Sequence, residues 1–155
     1  MPELGIDVVL QGHDHVYLRP GVMNNNEVVQ TKTKTVTYGG RNYTAKLDPT
    51  GSIYVISGCS GVKTYVTKDP AETDKLFPRA EKLADANDPI FSAFQIVGDT
   101  LYFDAYTVGA DGTSRIDSFA IEKKTADVPD SSTDVSKPDE STTAPVTTDT
   151  TKPED

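Results

Sequence analysis

The stretch Ile6-Asp7-Val8-Val9-Leu10-Gln11-Gly12-His13-Asp14-His15 decides the fold. Its first half is a short β-branched run closed by Gly12, and near-continuous apolar runs of this kind belong to strands buried on both faces. Its second half holds both histidines of the chain, two residues apart. If the backbone stays extended, a period of two sets His13 and His15 on one side, with Cα atoms roughly 6 to 7 Å apart, and turns Asp14 to the other. Neutral imidazoles suit Zn, Fe, Ni or Cu, and two ions about 3.5 to 4 Å apart are within the span of such a pair. Gly12 would let backbone approach closely. Taken alone, the pair has a second reading, a metal-free polar exit from a strand.

Working outward, Pro20 to Thr50 is irregular, with an Asn24-Asn25-Asn26 turn, a polar Thr/Lys alternation over 31–37 and a Gly39-Gly40 break. Loops and a weak hairpin are expected there. Ile53-Tyr54-Val55-Ile56-Ser57 reads as a second buried strand that stops at Gly58. The segment from Pro78 to Ala86, with Ala80, Leu83 and Ala84 on one side, is the expected helix. Ile90–Val97, Leu101–Val108 and Arg115–Glu122 follow at regular spacing, separated by Gly98-Asp99 and by Gly109-Ala110-Asp111-Gly112, which predicts an antiparallel meander. Ile90, Phe94 and Ile96 share one parity, as do Phe119 and Ile121, so each strand has a core face and a wetter one.

Length and charge bound the rest. A chain of 155 residues holds one compact domain, and 35% hydrophobic residues is low for a fully globular chain. The deficit lies after Lys124. From Thr125 to Asp155 there is no Leu, Ile, Phe, Tyr or Met, and eight acids against two lysines carry six of the nine excess negative charges. So little apolar surface cannot offset roughly 1 to 2 kcal/mol of ordering entropy per residue, so 125–155 is expected to be a disordered acidic linker or stalk. Residues 1–124 form the folded part. Net charge −9 makes nucleic acid an unfavourable partner. No apolar run approaches 18 residues, so no membrane span is expected, and the first residues lack the basic and apolar regions of an export signal. The single cysteine, Cys59, allows no disulfide within the chain. Thr/Ser/Pro/Asp tails of this type look like bacterial extracellular stalks, which sets the expected location as secreted or cell-surface.

The wider run Gly12-His13-Asp14-His15-Val16-Tyr17-Leu18-Arg19 resembles the last metal motif of calcineurin-like metallophosphoesterases, closest to the purple acid phosphatase branch. That branch reads Gly-His-x-His-x-Tyr-Glu-Arg; only Leu18 departs from it, standing where the family has glutamate. Asp48 to Gly58 and Phe94 to Lys123, with Asp117-Ser118-Phe119, look like the family's later strands. The resemblance implies an α+β, β-dominated fold: the C-terminal portion of an αββα sandwich ending in the meander. It implies two divalent or trivalent ions (Fe, Zn or Mn), His13 on the second-site metal and His15 on the first, and hydrolysis of phosphate esters by activated hydroxide in line with the leaving group. The family's other metal motifs would all precede Met1. Asp7 lies about 20 Å from His13 along an extended strand and cannot substitute for them. The chain is therefore expected to need the missing N-terminal part of its domain, and to be inactive alone.

Arg19 reads as an ion-pair partner beside the site in preference to a substrate ligand, and Tyr17 as a packing and hydrogen-bonding residue. Cys59, in Gly58-Cys59-Ser60-Gly61, reads as a small buried side chain in a turn; no P-loop lysine follows. Asn42-Tyr43-Thr44 forms a glycosylation triplet that matters only in a secreted eukaryotic protein. The rival to the enzyme reading is a non-catalytic extracellular β-rich binding or spacer module tethered by the acidic tail.

Overall fold

The computed structural model describes residues 2–61, 78–84 and 88–124. Among these residues a 3₁₀ turn at Pro2–Leu4 is followed by eleven strands: β1 (Val8–Gln11), β2 (Tyr17–Pro20), β3 (Met23–Asn24), β4 (Glu27–Val28), β5 (Thr33–Tyr38), β6 (Arg41–Leu47), β7 (Ile53–Ser57), β8 (Ala80–Ala84), β9 (Ile90–Val97), β10 (Thr100–Gly109) and β11 (Gly112–Glu122). They form a four-stranded sheet ordered β1-β7-β2-β8, a five-stranded sheet ordered β5-β6-β11-β10-β9 and the small ribbon β3-β4. Among the described residues there is no α-helix. The expected tail at 125–155 lies outside the described residues.

The two sheets meet in one core. Tyr17, Ile53 and Val55 from the four-stranded sheet are fully buried against Phe103, Ala105, Phe119 and Ile121 from the five-stranded one. Alternation selects these residues: β1 runs parallel to β7 with Val8 opposite Ile53 and Leu10 opposite Val55, so every second residue faces inward. Phe119, Phe103 and Phe94 stand opposite one another across β11, β10 and β9, with ring centroids 4.7 and 4.9 Å apart. Burying aromatic rings in such a row supplies apolar area and a specific register together.

The meander follows the sequence reading. β9, β10 and β11 pair antiparallel throughout, with Gly98 (φ +55°) and Gly112 (φ +114°) at the turns. One irregularity at Ala105/Tyr106 places Ala105 opposite Asp117 and Tyr106 opposite Arg115. The extra residue, Ile116, reverses the alternation, so Asp117 shares the core face with Phe119 while Arg115 goes to the outer face. The hairpin of β5 and β6 has six paired positions around Gly39 (φ +56°) and Gly40 (φ +73°). Two successive positive φ values make a tight turn matched to strand twist.

Two expectations are corrected. The segment expected to be a helix from Pro78 is a strand over Ala80–Ala84, antiparallel to β2, with Leu83 opposite Leu18 and Ala84 opposite Tyr17; residues 85 and 86 lie outside the described residues. Weak helical spacing is overridden by tertiary context: the strand satisfies the edge of β2 and lets Glu81 reach both Arg19 (3.1 Å) and Lys46 (3.0 Å). Second, β1 is not buried on both faces. Among the described residues it lies at an edge, and Leu10 is 56% exposed although it faces the core side.

Because Phe103 is the middle ring of the aromatic row, Phe103→Ala is expected to lower unfolding free energy by about 3 to 5 kcal/mol, against less than about 1 for the exposed Val108→Ala. Urea titration followed by circular dichroism reads the difference; equal effects would contradict this core.

Candidate functional site

β1 ends at Gln11, and Gly12 to Val16 form a loop leading into β2. The backbone does not stay extended there. His13 has φ +84°, a left-handed conformation that costs a non-glycine residue on the order of 1 kcal/mol and concentrates at functional positions. The condition for placing His13 and His15 on one side by strand alternation is therefore not met. Asp14 does not turn away: its Oδ1 lies 3.2 Å from His13 Nδ1. The His13 side chain is 94% exposed, and His15 is half-buried at the mouth of β2. A Cβ built on Gly12 would meet nothing within 4 Å, so no described residue uses the close approach that this glycine allows. Among the described residues no group of three or more His, Cys, Asp or Glu side chains is placed to hold an ion.

The second half of the motif is an anchor. Arg19, 4% exposed, donates from Nε to Asp117 Oδ2 (2.6 Å) and from Nη2 to Asp117 Oδ1 (3.0 Å). Tyr17 donates its hydroxyl to the same Oδ2 at 2.7 Å, and the Ser118 N–H donates to Oδ1 at 2.8 Å. Nη1 of Arg19 is within ion-pair distance of Glu81 but misaligned for a hydrogen bond. The guanidinium also lies over the Phe119 ring, 5.2 Å from its centroid. Thus Tyr17 and Arg19, two and four residues after His15, are bolted to β11 of the other sheet. Both keep the structural roles the sequence reading gave them.

Burial pushes the Asp117 carboxyl up, but the Arg19 fork, the Tyr17 hydroxyl and the Ser118 N–H outweigh it and hold the group below the usual carboxylate range. Burial, and then the adjacent Asp117 carboxylate, push the Tyr17 phenol far above its ordinary value, so it serves as a neutral donor. Leu18 is buried between Ile56 and Leu83, its neighbours on β7 and β8; an acid here would be flanked by apolar side chains.

The remaining sequence candidates are structural. Cys59 is half-buried; its carbonyl accepts from the Ile90 N–H at 2.8 Å, and Gly58 (φ +75°) packs on Ile90, so the stretch that follows β7 is tied to the first residue of β9. Asp7 pairs with Lys123 at 2.9 Å. Sequence reasoning missed Asp117 and Glu81 as the partners of Arg19. The signal available was a bidentate acid needed by any buried arginine, but not which acid.

Comparison with protein-family models, with curated proteins and with solved structures finds no match for this chain.

Asp117 carries a depressed pKa, so its contribution to stability is present above the unfolded carboxylate value near 3.9 and is lost as pH falls below it. Asp117→Asn is expected to cost about 3 to 5 kcal/mol at pH 7, since it leaves the Arg19 charge buried without its partner. It should also flatten the fall in urea midpoint between pH 5 and pH 2. A variant that keeps the wild-type pH profile would contradict the assignment.

Proposed function

We propose that this chain is the C-terminal part of a dinuclear metallophosphoesterase domain and contributes His13 and His15 to the metals. The observation that carries the reading is the position of the Gly12-His13-Asp14-His15 loop: it follows the carboxyl end of a strand that runs parallel to its neighbour, the end at which open parallel sheets place their ligands. The donor chemistry fits. Two imidazoles, one exposed and one half-buried, supply neutral nitrogen ligands for Fe, Zn or Mn, and His13 has a positive φ, a conformation enriched at ligand-binding positions. Two neutral ligands do not balance two cations, so bridging and terminal carboxylates must come from elsewhere in the domain.

The sheet supports such a partner segment. β1 has β7 on one side and no neighbour on the other among the described residues, and Leu10 is exposed at that edge. Val9, Tyr54, Ile56 and Leu83 alternate with core residues and lie on the sheet's other face, where they are only half-buried. A preceding α/β segment would extend the sheet beyond β1 and cover this face with helices, completing the αββα arrangement.

Bound ions of this class lower the pKa of water and neutralise charge on a phosphoryl group. The chain's own residues hold and orient. His13 and His15 enter as neutral imidazoles, and the Tyr17–Arg19–Asp117 network fixes the strand that follows them. Leu18, in place of an acid, removes one charge from the neighbourhood. The substrate class is phosphate esters, and the Thr/Ser/Pro/Asp tail favours a secreted or cell-surface setting.

Joined to the preceding part of its domain, the protein is expected to release phosphate from a generic monoester in a metal-dependent way. His13→Ala and His15→Ala should each lower turnover by at least about 100-fold, as loss of a first ligand implies. Unchanged turnover, or an unrelated domain encoded upstream of Met1, would contradict the reading and favour a non-catalytic extracellular module.

A further inference from the structure

The two edges of the five-stranded sheet are built differently. At one, β5 reads Thr-Lys-Thr-Val-Thr-Tyr and carries Lys34, a charged and hydroxylated edge of the kind that resists pairing. At the other, β9 reads Ile-Phe-Ser-Ala-Phe-Gln-Ile-Val, with no charge, proline or glycine. The inward row Phe119, Phe103, Phe94 goes from buried to 39% exposed at β9, and the row Ile121, Leu101, Ile96 ends with Ile96 at 71% exposure. Both rows run past the last strand as if another followed. On the opposite face Phe91 and Val97 are exposed as well.

The backbone defines how much of this edge is open. The Ile90 N–H points away from β10 and is taken by the Cys59 carbonyl. By alternation the N–H and C=O groups of Ser92, Phe94 and Ile96 point the same way, and no described backbone group bonds to them. The chain then turns at Gly98. Among the described residues the open stretch is thus Phe91 to Val97, and its midpoint is Phe94.

We infer that β9 is the interface for a second copy of this chain, joined edge to edge about a two-fold axis through Phe94. Antiparallel self-pairing about that residue sets Phe94 opposite Phe94 of the copy and Ser92 opposite Ile96, hydrogen-bonded pairs that exchange roughly six backbone bonds in all. It also sets Phe91 opposite Val97 on the other face. One register therefore uses every open backbone group and brings all four exposed apolar side chains against the copy. A shift of the axis by one residue, to Ala93, would set Phe94 against Ser92 and Phe91 against Gln95, which matches less apolar surface. The strand has no charge to oppose a copy of itself, and most of the chain's excess negative charge lies beyond Lys124. The contact needs no metal and is independent of the proposed phosphoesterase site.

Light scattering on the full chain is expected to show twice its 16.7 kDa mass at about 100 μM, a concentration at which an edge-to-edge contact of ordinary strength is populated. Ile96→Lys, a change at an exposed position, should weaken the dimer at least about tenfold without altering the circular dichroism spectrum. In a Cys59→Ser background, Phe94→Cys should form an intermolecular disulfide on mild oxidation, because residues opposite each other on the axis lie about 5.5 Å apart. Ile96→Cys, whose copies lie about 13 Å apart in this register, should not. A monomer up to about 1 mM would overturn the proposal. So would a dimer indifferent to Ile96→Lys, which would place the contact at β1 or on another surface, or equal cross-linking at both positions.

Discussion

The Arg19–Asp117 pair is the constraint on which the rest of this structure depends. β2 is only four residues long, and it carries the chain straight out of the histidine loop into the core. A strand that short has few backbone bonds with which to fix its position. A guanidinium fork closed on a carboxylate admits essentially one mutual placement of the two groups, and here they belong to different sheets. Desolvating both charges costs several kcal/mol and makes the pair a poor source of net stability. What it supplies is position: the Tyr17 hydroxyl, the Ser118 N–H and the Phe119 ring all converge on the same two groups, so sliding one sheet over the other would break every contact together.

This gives the motif a division of labour. Its first half, Gly12 to His15, is a loop between strands, with an exposed His13 at positive φ and a half-buried His15. Its second half, Tyr17 to Arg19, is buried, with Tyr17 and Arg19 both bonded to Asp117. Loops that bind ligands are effective when a rigid scaffold positions them, and in the proposed site the ion pair would make β2 that scaffold. Glu81 extends the network by joining Arg19 to Lys46, so β8 and β6 are tied to it as well.

Much of the fold was legible in the sequence because the relevant signals were local. The meander was written in alternating residues and glycine turns, and β1 and β7 in their β-branched runs. The hairpin of β5 and β6 was underestimated because its Thr/Lys alternation is polar on both faces, while the Gly39-Gly40 turn that fixes its register occupies only two residues. β8 was misread for a physical reason: Ala80, Leu83 and Ala84 fit a helix by spacing, but the edge of β2 and two cations waiting for Glu81 are not visible from that segment. Asp117 was hidden by distance, lying 98 residues from Arg19. The same-side placement of His13 and His15 was conditional on an extended backbone, and the positive φ of His13 removes that condition. The inserted Ile116 likewise turns Arg115 outward without any local turn signal.

For the histidine loop the proposal is a bimetallic phosphoesterase centre, supported by two imidazole donors that follow the carboxyl end of β1. X-ray absorption at the metal edge of the intact domain tests this most directly. A metal–metal vector at about 3.5 to 4 Å, with one nitrogen scatterer lost in each of His13→Ala and His15→Ala, is the predicted result. A spectrum with no neighbouring metal, or one that both substitutions leave unchanged, would contradict it.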